Sequence, residues 1–194
     1  MGRPLIKHGF IAILLIAVCC AVQVPATAAD QANWQVCFTP GQDCTGLIVS
    51  KIDRAQGSIR VQAYSFTSVP ILSALKRAHD RGVDVEVIVD KTSARPSKSG
   101  SRYSAATYLS NAGVPVWVDT KVAIAHNKVM VIDGAVVVTG SFNFTSSAQT
   151  RNAENLLVIA DAKLAKLYQE NWERRRAVSA PYTGPVEFGS SAEE

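Results

Sequence analysis

The sequence predicts an α/β domain built on a mixed β-sheet with helices on both faces. Three observations carry this. Two strand–helix–strand units follow one another in "SIRVQAYSF…VPILSALKRAHDRG…VDVEVIVD" and on through "YSAATYLSNAG" to "VPVWVD". Such units put parallel strands side by side. The pattern then changes to two strands, "HNKVMVID" and "AVVVTGSFNF", joined at Asp133-Gly134, a tight-hairpin signal that makes the next pair antiparallel. Finally "AENLLVIAD" leads into "AKLAKLYQENWERRRAV", a strand followed by a closing helix.

Each element has its own local reason. The first 29 residues have a basic start (Arg3, Lys7), an apolar run from Phe10 to Val22 and small residues at Ala26, Thr27 and Ala28. That is the grammar of a cleaved export signal. A membrane anchor is the competing reading, but the run is short against the roughly 20 residues a span needs. Val18 is bulky where a lipid-modified cysteine at 19 or 20 wants a small neighbour. Residues 30–178 then form one domain, and 179–194, "SAPYTGPVEFGSSAEE", read as a loose tail rich in Pro, Gly, Ser and Glu. Within the domain, "TGLIVSKIDRAQ" has helical spacing and stops near Gly57. "VPILSALKRAHDRG" is amphipathic, with Pro70 in its first turn and Gly82 just past its end. "ARPSKSGSR" is a basic connector.

The formal charge is +4 and falls to +2 once Arg3 and Lys7 leave with the signal. So mild a balance does not by itself argue for a nucleic-acid partner, and an anion site must be local. Cys37 and Cys44 enclose the turn "TPGQD", and an oxidising compartment would let them pair. A metal pair and free thiols are the alternatives. No third cysteine remains to help hold a metal, and His79 sits in a helix.

Side chains alternate along a strand, so His126 and Lys128 share one face at the head of "HNKVMVID". Asp133 has the opposite parity, and its place beside Gly134 suits it to organising the turn. In "GSFNF", Ser141 and Asn143 share the polar face, while Phe142 and Phe144 take the other. Hairpin pairing brings Ser141 and Asn143 beside His126 and Lys128. Imidazole, ammonium, hydroxyl and amide together suit a phosphoryl group: the donors neutralise its oxygens and the imidazole attacks phosphorus or carries protons. Glu154 opens the next strand, where it is either a solvated strand-end charge or a carboxylate facing that cleft.

The order His126-x-Lys128, four residues, Asp133, six residues, Gly140-Ser141-x-Asn143 resembles the signature of the phospholipase D superfamily. Glu154, eleven residues further on, matches the carboxylate of the family's small bacterial endonuclease, and "CFTPGQDC", "AYSFTS" and "ALKRAHDRGVDVEVIVD" look like that branch. The resemblance implies a catalytic set of His126, Lys128, Asp133 and Glu154, with Glu154 orienting His126. It implies phosphate binding by Lys128, Ser141 and Asn143, a phosphohistidine intermediate, and neither metal nor other cofactor. Family chemistry uses two histidines, and this chain carries one His-x-Lys. The resemblance therefore implies a homodimer with the site on its two-fold axis.

The expected function is that of an exported, periplasmic or secreted endonuclease of DNA, or of RNA, without stable membrane insertion after signal cleavage. Lys91, Arg95, Lys98 and Arg102 could track a nucleic-acid backbone, or belong to a merely solvated connector. The alternative is a phospholipase D acting on lipid head groups. It calls for an apolar rim, and the sequence offers no exposed aromatic run to supply one. A non-enzymatic nucleic-acid binder is disfavoured by the intact signature.

Overall fold

The structure, a computed structural model, describes residues 1–2, 33–94 and 104–184. Residues 3–29 of the expected signal segment, the connector residues Arg95, Lys98 and Arg102, and residues 185–194 lie outside the described residues. The helical elements among those described are α1 (Cys44–Arg54), α2 (Val69–Asp80), α3 (Ala105–Asn111), α4 (Ser146–Thr150) and α5 (Ala162–Val178). The strands are β1 (Trp34–Thr39), β2 (Ser58–Ala63), β3 (Asp84–Asp90), β4 (Val116–Asp119), β5 (Lys128–Ile132), β6 (Val136–Gly140), β7 (Glu154–Ala160) and β8 (Ala180–Pro181). They form one sheet in the order β1-β7-β6-β5-β2-β3-β4-β8. Only β2-β3 and β3-β4 are parallel, so the sheet is mixed, as the sequence predicts.

Helices cover both faces. On one, α1, α2 and α3 bury Ile48, Ile52, Ile71, Leu75 and Leu109 against Ile59, Val61, Val85, Val87, Met130 and Leu156. On the other, α5 packs Ala165, Leu164 and Tyr168 on Val129, Val131 and Val137. Trp172 pins the same helix by donating its indole N–H to the Val61 carbonyl at 3.0 Å. The β5–β6 turn has Asp133 at φ 53 and Gly134 at φ 61, the left-handed pair that a tight hairpin needs.

Three features depart from the sequence reading. The segment around Cys37 is a strand, not only a turn: β1 pairs antiparallel with β7, from Trp34↔Ile159 to Thr39↔Glu154. Its alternation is inverted. Cys37 and Thr39 are buried, whereas Trp34 is 54% and Phe38 53% exposed, with Val36 exposed between them. An exposed aromatic run thus exists where none was expected. Next, the tail is not loose from its start. Ala180 pairs with Val118, Tyr182 N–H donates to the Val116 carbonyl (2.8 Å), and the buried Tyr182 hydroxyl meets Thr107 Oγ1 at 2.6 Å. Finally, α4 was not anticipated. It is one short turn capped by Thr145, whose Oγ1 accepts from Ala148 N–H at 3.1 Å. The Cys37 and Cys44 sulfurs are bonded, with the Cα atoms 5.6 Å apart, and join β1 to the start of α1.

Candidate active site

The parallel strands β2, β3 and β4 end at one edge of the sheet, where β5 begins. The chain crosses this edge in the loop 120–127, which two buried aspartates hold down. Asp90 Oδ2 accepts from Ala125 N–H at 2.8 Å, while its Oδ1 accepts from the Thr92 backbone and hydroxyl. Burial alone would raise the Asp90 pKa, but these bonds from Thr92 and Ala125, with the Lys91 charge, hold it below the usual carboxylate value. Asp119 accepts from Lys121 N–H (3.0 Å) and takes a two-pronged bond from Arg175 of α5, at 2.6–2.8 Å. Tyr64 N–H donates to the Asn127 carbonyl (2.9 Å), and the Asn127 side chain bonds Gln62. His126 is thereby presented, exposed, from a loop fastened on both sides.

Lys128 is only 6% exposed. Its Nζ donates to the His126 carbonyl at 2.8 Å and lies 3.0 and 3.1 Å from the two imidazole nitrogens. Desolvation lowers the Lys128 pKa from the ordinary lysine value, and the Glu154 carboxylate opposes that. The Tyr64 ring completes this corner, with its centroid 4.5 Å from that of His126 and 5.0 Å from Lys128 Nζ.

The opposite wall comes from "GSFNF". Phe142 and Phe144 are fully buried and anchor it. Thr67 and Ser68 N–H both donate to the Phe144 carbonyl, at 2.9 Å, and Ser141 and Phe142 N–H donate to that of Asn155. Gly140 has φ 153, and an added Cβ would collide with the Asn155 carbonyl, so glycine is required there. Ser141 Oγ accepts from Asn155 N–H (3.0 Å) and donates to Glu154 Oε2 (2.6 Å). Asn143 is half-buried, and its Oδ1 has no hydrogen-bond partner among the described residues. The resulting cleft measures about 470 Å³ and is lined by His126, Lys128, Ser141, Asn143 and Glu154, with Tyr168 and Thr139 on the α5 side.

Two expected roles are not reproduced. Glu154 lines the cleft but does not bond His126; its Oε1 accepts from Asn152 Nδ2 at 2.9 Å and its Oε2 is taken by Ser141. Both carboxylate oxygens are thus engaged on the β6–β7 side of the cleft, away from His126. Asp133 is not in the cleft at all. It sits in the turn at the far end of β5, where its carboxylate accepts N–H from Gln56, Gly57 and Ser58 at 3.1, 2.7 and 3.0 Å. Of the signature, His126, Lys128, Ser141, Asn143 and the added Glu154 converge. Tyr64, Asp90, Asp119, Arg175 and Tyr168 escaped the sequence reading. The endings "VIVD" and "VWVD" were a usable signal for the aspartates, because polar residues closing parallel strands gather at the edge where such sheets build sites. Among the described residues no group of three His, Cys, Asp or Glu side chains could hold a metal ion, and no helix is long and apolar enough to cross a membrane.

Comparison with known proteins identifies the family and the fold. Residues 48–176 match the family model described as "Cardiolipin synthase, PLD-like domain". A protein named phospholipase D from Rickettsia prowazekii is 43% identical over 150 residues, covering 77% of this chain and 71% of that one. The crystal structure of a phospholipase D family member, Nuc from Salmonella typhimurium, superposes with a TM-score of 0.70 at 40% identity, over 77% of this chain and 97% of that one. NucT from Helicobacter pylori gives 0.69 at 25% identity, covering 77% and 98%.

Proposed function

Because the chain belongs to the phospholipase D superfamily and is a phosphodiesterase-type hydrolase, we propose that it is an exported endonuclease that hydrolyses DNA, or RNA, without a metal. The observation that carries this reading is the pairing of an exposed imidazole with a buried ammonium in one cleft. A buried positive charge without a carboxylate bonded to it is well placed to receive an anion, and the phosphodiester oxygens supply one. His126 attacks phosphorus, and a P–N bond forms as the bond to the leaving oxygen breaks. A second histidine gives that oxygen its proton, then takes one from the water that cleaves the phosphohistidine. Lys128 and Asn143 hold the non-bridging oxygens. Ser141 sets Glu154 in place, and the Glu154 charge helps keep Lys128 protonated.

The second histidine comes from a second copy of the chain, since each copy carries one His-x-Lys. The sheet supports such a dimer. α5 covers β5 and β6, while Trp34, Val36 and Phe38 stand exposed on the same face of β1. The rung Val36–Leu157–Thr139–Val129 runs from that bare face into the cleft wall. A two-fold partner covering this face would stand next to the cleft. Export by residues 1–29, leaving a domain that starts at residue 30 and runs on through β8 and Tyr182, belongs to the same proposal.

Likeness to the family's small single-copy endonuclease favours nucleic acid as substrate. Hydrolysis of phospholipid head groups is the second reading, favoured by the name of the Rickettsia relative and by exposed Trp34, Phe38 and Ile124. The test is to incubate purified protein in excess chelator with DNA, RNA and phosphatidylcholine vesicles separately. Nucleic-acid cleavage that falls as salt rises is expected. Head-group release with DNA and RNA left intact would overturn the reading, as would activity lost in chelator and restored by magnesium.

A further inference from the structure

We propose that Tyr64 is a positioning residue of this site, its ring packing on the His126 imidazole and seating the Lys128 ammonium against its face. The proposal rests on the roles given above to His126 and Lys128, and it assigns a function to the "AYSF" stretch that the signature leaves unused.

The placement follows from the sheet. β2 pairs with β5 up to Ala63↔Lys128, so the residue after Ala63 meets the chain just before Lys128. Regular strand geometry stops at Ala63, a bend follows at Tyr64 and Ser65, and the Tyr64 ring lies against His126 and Lys128. The Tyr64 backbone is tied on both sides: its N–H donates to the Asn127 carbonyl, and its carbonyl accepts from the Ser93 hydroxyl. Its ring is therefore carried by fixed backbone, whereas His126 lies in an irregular loop.

Both contacts are of kinds that matter to chemistry. The tyrosine and imidazole rings are tilted by 49° with centroids 4.5 Å apart, which limits how far the imidazole can swing. The ammonium lies 5.0 Å from the ring centroid, within the range of a cation–π contact. The groups facing Lys128 Nζ are Tyr64 from the end of β2, His126 from the loop, and Glu154 from β7. Only Glu154 brings a formal negative charge. The π face is a further source of attraction for the cation and, unlike a carboxylate, would not repel the phosphate that must dock there. The ring thus favours the charged lysine, so its removal lowers the Lys128 pKa.

The test compares Tyr64→Phe, which keeps the ring, with Tyr64→Leu, which keeps apolar bulk without a π face. Turnover is measured on bis(p-nitrophenyl) phosphate, a phosphodiester with neither base nor acyl chain, so the result is independent of whether DNA, RNA or lipid is the natural substrate. The Phe variant should stay within about twofold of wild type. The Leu variant should lose about tenfold or more in kcat, and the alkaline limb of its pH profile should move down by about half a unit. Direct titration of Lys128 by NMR, which needs no turnover, should show the same downward shift in Leu and none in Phe. A folded Leu variant with wild-type kcat and an unmoved Lys128 titration overturns the proposal. So does a Phe variant as impaired as Leu, which would assign the effect to the hydroxyl. Cleavage of the small ester with DNA, RNA and vesicles all untouched would instead refute the substrate reading and leave Tyr64 in its role.

Discussion

Replacing Asp133 should loosen the fold and spare the chemistry, although the residue belongs to the family signature. Its carboxylate gathers the N–H groups of Gln56, Gly57 and Ser58, tying the α1–β2 connection to the β5–β6 hairpin. A hydrogen bond to a charged group is worth about 1.5–3 kcal/mol when well shielded. Here the aspartate and two of its donors are exposed, so water replaces much of the loss and about 2 kcal/mol for the set is the better figure. Asp133 also has φ 53, and alanine there adds about 1 kcal/mol, a cost asparagine largely avoids. Asp133→Ala should then lose about 3 kcal/mol, or roughly 6–12 °C in Tm at this size. Asp133→Asn keeps one acceptor and should lose about 1 kcal/mol.

The acid behaviour of the same residue gives an internal control. Burial pushes the Asp133 carboxyl pKa up, but the N–H groups of Gly57, Ser58 and Gln56 pull it down further, below the usual value. A depressed folded pKa contributes stability that is complete above the unfolded value, near 4, and is lost as pH falls through the folded one. The Tm gap between wild type and Asp133→Asn should therefore be full at pH 7 and shrink below about pH 4. Turnover should not change, because the five residues of β5 put Asp133 about 17 Å from Lys128. Thermal melts and phosphodiesterase assays on the same samples decide the matter. A folded Asp133→Asn protein slowed more than tenfold, or an Asp133→Ala protein melting within 2 °C of wild type by the same scaling, would refute the reasoning.

Two further outcomes are expected. Equal amounts of wild-type and His126→Asn subunits, dissociated and reassociated, should settle near one quarter of the activity of unmixed wild type at the same total protein, because only a quarter of randomly paired dimers keep both histidines; a value near one half, with exchange confirmed by mass, would mean that each subunit works alone. Protein taken unreduced from the exporting cell should offer no alkylatable thiol at Cys37 or Cys44, and reduction should cost about 2.5 kcal/mol for so short a loop, so an unchanged melting temperature after verified reduction would show that the bridge contributes nothing.

What could be read in the sequence, and what could not, divides along a physical line. The hairpin was legible because its determinants are local: a left-handed Asp-Gly pair between β-branched runs fixes the register, and register fixes which side chains share a face. So the sequence alone brings His126, Lys128, Ser141 and Asn143 together. The partners of Glu154 could not be read there, because Ser141 and Asn152 reach it only through the way β6 and the α4–β7 connection meet at the cleft, which no local pattern gives. Tyr64 was hidden for a related reason, since it lies in a bend just past the end of β2, where strand alternation no longer says which way a side chain faces. β1 was the hardest element. Its apolar residues point outward and its small and polar ones inward, so alternation read alone gives the wrong face. A strand with Trp34, Val36 and Phe38 in water has a pattern that its own domain does not explain. The same pattern becomes regular if a second copy supplies the missing layer. The single His-x-Lys copy and the bare face of β1 are independent observations, one chemical and one of packing, and both favour the proposed partner.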